Sequence, residues 1–141
     1  MSESIHLEYI VEGNNFTSAG AASDEIKNQL KKLGILTEDI RRVAIAMYEG
    51  EINMVIHAGG GIAVADIFVD HIDIQLIDQG KGIENIELAM QPGWSTAKPE
   101  VLAMGFGAGM GIPNMKKYTD DFKIESEVGK GTTVKLTIKF H

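Results

Sequence analysis

The stretch GFGAGMGIPNMKKYTDDF, Gly105 to Phe122, decides how this chain is read. Gly105, Gly107, Gly109 and Gly111 alternate with small or apolar residues and give way abruptly to a helical pattern. Glycine has no Cβ and reaches backbone conformations closed to other residues, so such a run can fold tightly around a ligand. Consecutive amides in a turn of this kind point inward as an anion-binding nest. A helix starting directly afterwards adds free N–H groups and the positive end of its dipole. Phosphate is the natural guest, and a merely flexible loop is the plainer alternative. The spacing excludes two common phosphate loops. No G-x-x-x-x-G-K-[ST] occurs, and G-x-G-x-G-x-G is not the G-x-G-x-x-G that follows a strand.

The 141 residues, 44% hydrophobic and 23% charged, fit a single domain over 1–141 with room for a core. A net charge of −7 opposes a phosphate backbone, so no nucleic-acid partner is expected. Nucleotides remain open, because local dipoles and a metal can supply the positive charge. No apolar run is long enough to cross a bilayer, and MSESIHLEYIVEG lacks the basic start and apolar block of a signal peptide. No membrane partner is therefore expected, and the expected location is cytoplasmic. Without cysteine, disulfides and thiolate metal sites are impossible.

Outward from the glycine run, the chain alternates between two periods. Ile5, Leu7, Tyr9 and Val11 read as a first strand. Thr17 or Ser18 can cap a helix whose apolar positions Ala19, Ala22, Ile26, Leu30 and Leu33 step by three and four until Gly34. Thr37 opens a longer helix to about Ala58, with Glu38 and Asp39 in its first turn. Strands over Ile62–Val69 and Ile72–Ile77 follow, with Asp70-His71 as the turn. From Gln79 to Met104 there is no clear period beyond a short helical pattern near Ile83–Ala89, and long irregular segments are often binding loops. A helix over Ile112–Thr119 precedes strands from Phe122 to Val128 and from Thr132 to Phe140, joined by Gly129-Lys130-Gly131. This order predicts an α+β, two-layer sandwich: a mixed, mostly antiparallel sheet with helices on one face.

Glu49, Asn53 and His57 recur at steps of four and share one face of the second helix. A solvated stripe would look the same, but Ile45, Ile52, Val55 and Ile56 flank this one. A carboxylate, a carboxamide oxygen and an imidazole in line can hold a hard metal, a water and a nucleophile. Mg²⁺ takes one or two protein oxygens and completes its shell with water and phosphates, so a single Asn suffices beside a triphosphate. Asp78-Gln79-Gly80-Lys81-Gly82 ends an apolar strand. It reads as a turn, or as a carboxylate that accepts a hydrogen bond from an exocyclic amine such as adenine N6, with both glycines letting the base lie on the backbone. Gly50 costs about 1 kcal/mol against Ala inside a helix, which implies close approach or local irregularity there. Glu51 points away from Glu49. Pro113 is tolerated early in its helix.

In combination and in order, these segments resemble the histidine-kinase-like (GHKL) ATPase superfamily. The likeness runs from about Leu30 to the C-terminus and covers four boxes: Glu49-x-x-x-Asn53-x-x-x-His57-Ala58, Asp78-x-Gly80-x-Gly82, Gly105-x-Gly107-x-Gly109-x-Gly111, and the closing Gly129 to Thr133. The short length, Gly93-Trp94-Ser95-Thr96 and the wording from Gly105 to Phe122 are similar to the anti-sigma-factor and switch-kinase branch, serine/threonine kinases of partner-switching modules. The resemblance implies a Bergerat-type fold that binds ATP and Mg²⁺ beneath a mobile lid hinged between Trp94 and Pro113. It implies Asn53 as Mg²⁺ ligand, Asp78 as adenine reader, Gly105–Gly111 around the phosphates, Glu49 as general base, and Thr133 near the adenine end. Lys98 or Lys81 is a candidate cation for the phosphates, with a plain surface lysine as the alternative. His57 reads as structural, because the separate phosphoacceptor helix of sensor kinases is missing. The implied partners are a small anti-anti-sigma-like protein as substrate and a sigma factor, and relatives commonly form homodimers through the first strand and adjoining helix. The alternative is a nucleotide-gated binding module without phosphotransfer.

Overall fold

Residues 4–13, 20–57, 59–80 and 111–141 are described by a computed structural model. The elements are β1 (Ile5–Glu12), α1 (Ala21–Lys32), α2 (Thr37–His57), β2 (Gly60–Ile67), β3 (His71–Ile77), α3 (Gly111–Lys117), β4 (Asp121–Glu127) and β5 (Gly131–Lys139). Outside the described residues lie Thr17, Ser18, Lys81, Gly82, the helical pattern over 83–89, Trp94, Lys98, Gly105, Gly107 and Gly109.

The strands form one sheet in the order β1-β2-β3-β5-β4. All four described pairings are antiparallel, so the parallel component of a mixed sheet is not found among them. Period-two alternation makes one face apolar. Ala63, Ala65, Ile67, Ile72, Ile74, Leu76, Val134, Leu136 and Ile138 are all buried and face the helices. Against them pack Ile26 and Leu30 of α1 and Val43, Met47 and Val55 of α2. Each such fully buried aliphatic side chain contributes about 1.5–3 kcal/mol. The layers are therefore helices over one face of an antiparallel sheet, with α2 in the middle, packed on α1 and on α3.

Local details depart from the sequence pattern where tertiary partners take over. The pattern predicts Thr17 or Ser18 as the cap of α1, but the helix starts at Ala21 behind Gly20, and no side chain of its own caps it. Gly20 sits at φ 95, which favours glycine, and a Cβ there would meet the Tyr48 ring at 2.9 Å. The β2–β3 turn is shifted by one residue: the Phe68 N–H donates to the His71 carbonyl at 2.8 Å, and Val69 is 95% exposed at the tip. His71 thus belongs to β3, where its ring stacks on Phe68 with centroids 4.5 Å apart.

A polar clamp closes the end of the sheet where β5 finishes. The Asp39 carboxylate accepts the His141 N–H at 2.7 Å and lies 2.8 Å from His141 Nδ1. The Arg42 guanidinium donates to Asp120 at 2.9 Å and to the Lys139 carbonyl at 3.3 Å. Burial raises the Asp39 carboxyl, but the His141 hydrogen bonds and the charges of His141 and Arg42 outweigh it and leave the group below its usual range. The Lys139 N–H and the Arg42 guanidinium hold Asp120 low against the opposing effect of burial.

Candidate functional site

The opposite end of the sheet carries Asp78. The buried inner positions Ile72, Ile74 and Leu76 set the parity of β3, so the next inward position beyond the strand is Asp78. Asp78 Oδ1 accepts the Gly80 N–H at 3.0 Å and the Thr132 N–H at 3.1 Å, while its own N–H donates to the Thr132 carbonyl at 2.9 Å. One carboxylate oxygen is thus fixed by two backbone amides, and Oδ2 accepts from no described residue. An oriented carboxylate with one open oxygen is the form that recognises an exocyclic amine.

Parity also separates the two threonines. Val134, Leu136 and Ile138 face the helices, so Thr132 faces inward beside Asp78 and is 8% exposed. Its hydroxyl pairs with Ser126 Oγ at 2.8 Å. Thr133 stands opposite Ile77 and Glu125 on the outer face of the sheet. The structure therefore brings Thr132 to Asp78 and leaves the Thr133 side chain on the other side.

Helix α2 supplies the second part. Gly50 faces the sheet, where an added Cβ would collide with Leu76 Cδ1 and come within 3.0 Å of Met115 Sδ. The close approach that the glycine signals is thus made by β3 and α3 of the chain itself. One turn on, a Cβ on Gly61 would fall 2.5 Å from Met54 Cε and 3.1 Å from Asp78 Cα, so α2 and Asp78 converge at the start of β2. Half-buried Asn53, next to Met54, pairs with no described residue. Half-buried Glu49, one turn before Asn53, has a long contact with α3, where Asn114 Nδ2 lies 3.5 Å from Oε1. Gly80 follows Asp78 in a bend, and Gly111 is the first residue of α3. Of the expected site residues Gly82, Gly105, Gly107 and Gly109 lie outside the described residues, Thr133 faces away on the outer side of the sheet, and Glu49, Asn53, Asp78, Gly80 and Gly111 lie on the elements that meet where α2, α3 and the Asp78 end of the sheet converge.

Glu51 is different. Two residues beyond Glu49 is about 200° around the helix, which puts it on the α1 side. It is 2% exposed. Its Oε2 accepts the N–H groups of Gly20 at 2.8 Å and Ala22 at 3.3 Å, and its Oε1 accepts the N–H and Oγ–H of Ser23 at 3.0 and 2.8 Å. This carboxylate caps α1 from another helix, at the end where a negative charge is favourable. Between α1 and α2 runs an open groove lined by Ser23, Asp24 and Lys27 on one side and Ile45, Tyr48 and Glu49 on the other. Burial there, together with the charges of Glu49, Glu51 and Asp24, raises the Tyr48 hydroxyl above its usual range. Sequence reasoning missed Asn114, Thr132 and the cap made by Glu51. Strand parity was the available signal for Thr132; the others depend on contacts between distant segments.

The chain is similar to known proteins along most of its length. A family model, the histidine kinase-like ATPase domain, matches residues 14–138. An anti-sigma F factor of Clostridium acetobutylicum is 30% identical over 99% of this chain and 96% of its own length. The serine/threonine-protein kinase RsbT of Bacillus subtilis is 34% identical over 77% of this chain and 78% of its own. Among solved structures, one with the RsbU and RsbW domains of a Mycobacterium tuberculosis protein superposes with a TM-score of 0.66 at 16% identity, over 96% of this chain. This chain spans 32% of that longer one, and the likeness speaks for the fold. With a family model over most of its length and a relative matched nearly end to end, the chain belongs to the histidine kinase-like ATPase family.

Proposed function

We propose that this chain is an ATP- and Mg²⁺-dependent serine/threonine kinase of a partner-switching module, acting on a small anti-anti-sigma-like protein. The observation that carries the reading is the state of Glu49: half-buried, one turn from Asn53, with only a 3.5 Å contact to Asn114 on its carboxylate among the described residues. A general base needs free acceptor capacity within reach of the hydroxyl it deprotonates. The names of the relatives, anti-sigma F factor and RsbT kinase, point the same way.

In this reading Asp78 Oδ2 accepts from the adenine amine, with Oδ1 held by Gly80 and Thr132. Asn53 offers its carboxamide oxygen to Mg²⁺, which supplies charge neutralisation at the phosphates when bound. Among the described residues no cluster of three His, Asp or Glu could hold a metal. A single Asn with phosphates and water is a donor set that suits Mg²⁺. Gly80, Gly82, Gly105, Gly107, Gly109 and Gly111 are the residues whose lack of a Cβ would let the nucleotide approach the backbone. The acceptor hydroxyl loses its proton to Glu49 as its oxygen bonds to the γ-phosphorus and the bond to the ADP oxygen breaks. Such transfer depends mainly on positioning and on stabilising spread charge.

The test mixes the purified chain, γ-labelled ATP, Mg²⁺ and the anti-anti-sigma-like proteins of its own host. Label on a serine or threonine of one of them is expected; nucleotide binding with no transfer to any would contradict the kinase reading. A second reading, a nucleotide-gated module that sequesters a sigma factor, draws on the anti-sigma F relatives. Glu49→Gln separates the two: a pure binding module keeps its partner equilibrium unchanged when that variant is cycled with ATP.

A further inference from the structure

We propose that Glu51 is a positioning residue for the protein acceptor, an inference that rests on the kinase reading above. Its carboxylate fixes the first turn of α1 against the helix that carries Glu49. In-line phosphoryl transfer needs the acceptor and the leaving group on opposite sides of the phosphorus. Asp78 lies on the sheet side of α2, beside Gly61 and Met54, and the α1–α2 groove reaches Glu49 from the α1 side. Among the described residues the groove is a route to Glu49 that does not pass Asp78.

Glu51 determines the shape of that route. Ser23 is both a groove residue and a double donor to Glu51 Oε1. Gly20 donates to Oε2 at 2.8 Å, and a Cβ added there would meet the ring of groove-lining Tyr48. With all four bonds made, Ser23, Asp24 and Lys27 form a fixed wall opposite Ile45 and Glu49. No side chain of α1 caps this turn, so the wall depends on a residue of α2. Glu51 touches neither substrate; it acts through the turn it holds.

Glu51→Gln places an amide NH₂ against N–H donors and loses part of this hold. Ser23→Ala removes only the hydroxyl bond and serves as the mild variant where the first folds poorly. The assay is the transfer reaction above, with the acceptor labelled by the wild-type chain, alongside fluorescent-nucleotide titration with Mg²⁺. For Glu51→Gln the acceptor KM is expected to rise about tenfold with kcat and ATP affinity nearly unchanged, and for Ser23→Ala about threefold. Unchanged KM in both variants, or KM and ATP affinity weakening together, would make Glu51 a structural cap only and overturn the proposal. If the wild-type chain labels no acceptor, the kinase reading itself fails and the proposal falls with it, a result distinct from either variant outcome.

Discussion

The two faces of α2 carry carboxylates two residues apart in opposite states. On the α1 face, Glu51 is 2% exposed and every bond it can make to the first turn of α1 is made. On the face toward α3, Glu49 is half-buried and has one contact, at 3.5 Å, among the described residues. A carboxylate saturated by amides is held in place and has no lone pair left for chemistry. One with spare acceptor capacity beside a groove is available to take a proton. The same contrast recurs at the sheet ends: Asp39 has both oxygens engaged by His141, whereas Asp78 has one fixed and one open toward described residues.

If that contrast is right, the two glutamates should differ most in stability. Glu51→Ala strands buried N–H donors and is expected to cost about 3 kcal/mol, read as a lower urea midpoint with an unchanged slope. Glu49→Ala should stay within about 0.5 kcal/mol of wild type, and equal losses in both would erase the distinction. Gly50→Ala tests the tight seam between the faces. Its Cβ would meet Leu76 and Met115, so despite better helix propensity it should destabilise by about 2 kcal/mol. A gain in midpoint would show that α2 and β3 have room to spare. Asp78→Asn replaces the open oxygen or its fixed neighbour with a donor, and ATP affinity measured by titration should fall at least about tenfold.

The acid response sharpens the second contrast. The folded-state carboxyls of Asp39 and Asp120 lie below their unfolded value of 3.8. Their contribution to stability is thus fully present above that value and is lost as pH falls through the folded-state values. Asp39→Asn should therefore lower the melting midpoint near pH 7 and converge on wild type as the pH falls below 3.8, so its acid decline is flatter than that of wild type. A variant whose acid slope matches wild type would remove the clamp from the account.

Much of this was legible in the sequence because periodicity and parity are local. The alternation in β5 fixes which residues face the helices, and the four-residue step puts Glu49 and Asn53 on one face. The same parity selects Thr132 over Thr133, although the likeness to a G-x-G-T-T box favours the latter. What could not be read depends on distant partners. Gly50 announces a close approach, but nothing local says that Leu76 and Met115 make it. The cap of α1 comes from Glu51, about thirty residues along the chain, so the search for a nearby Thr or Ser looks in the wrong place.

The central claim is that Glu49 is kept open for proton transfer. It is tested most directly by single-turnover transfer of γ-labelled phosphate from bound ATP to the acceptor, comparing wild type with Glu49→Gln. The account predicts a rate lower by about 10²–10⁴-fold with ATP affinity unchanged. Transfer at the wild-type rate by Glu49→Gln would contradict it.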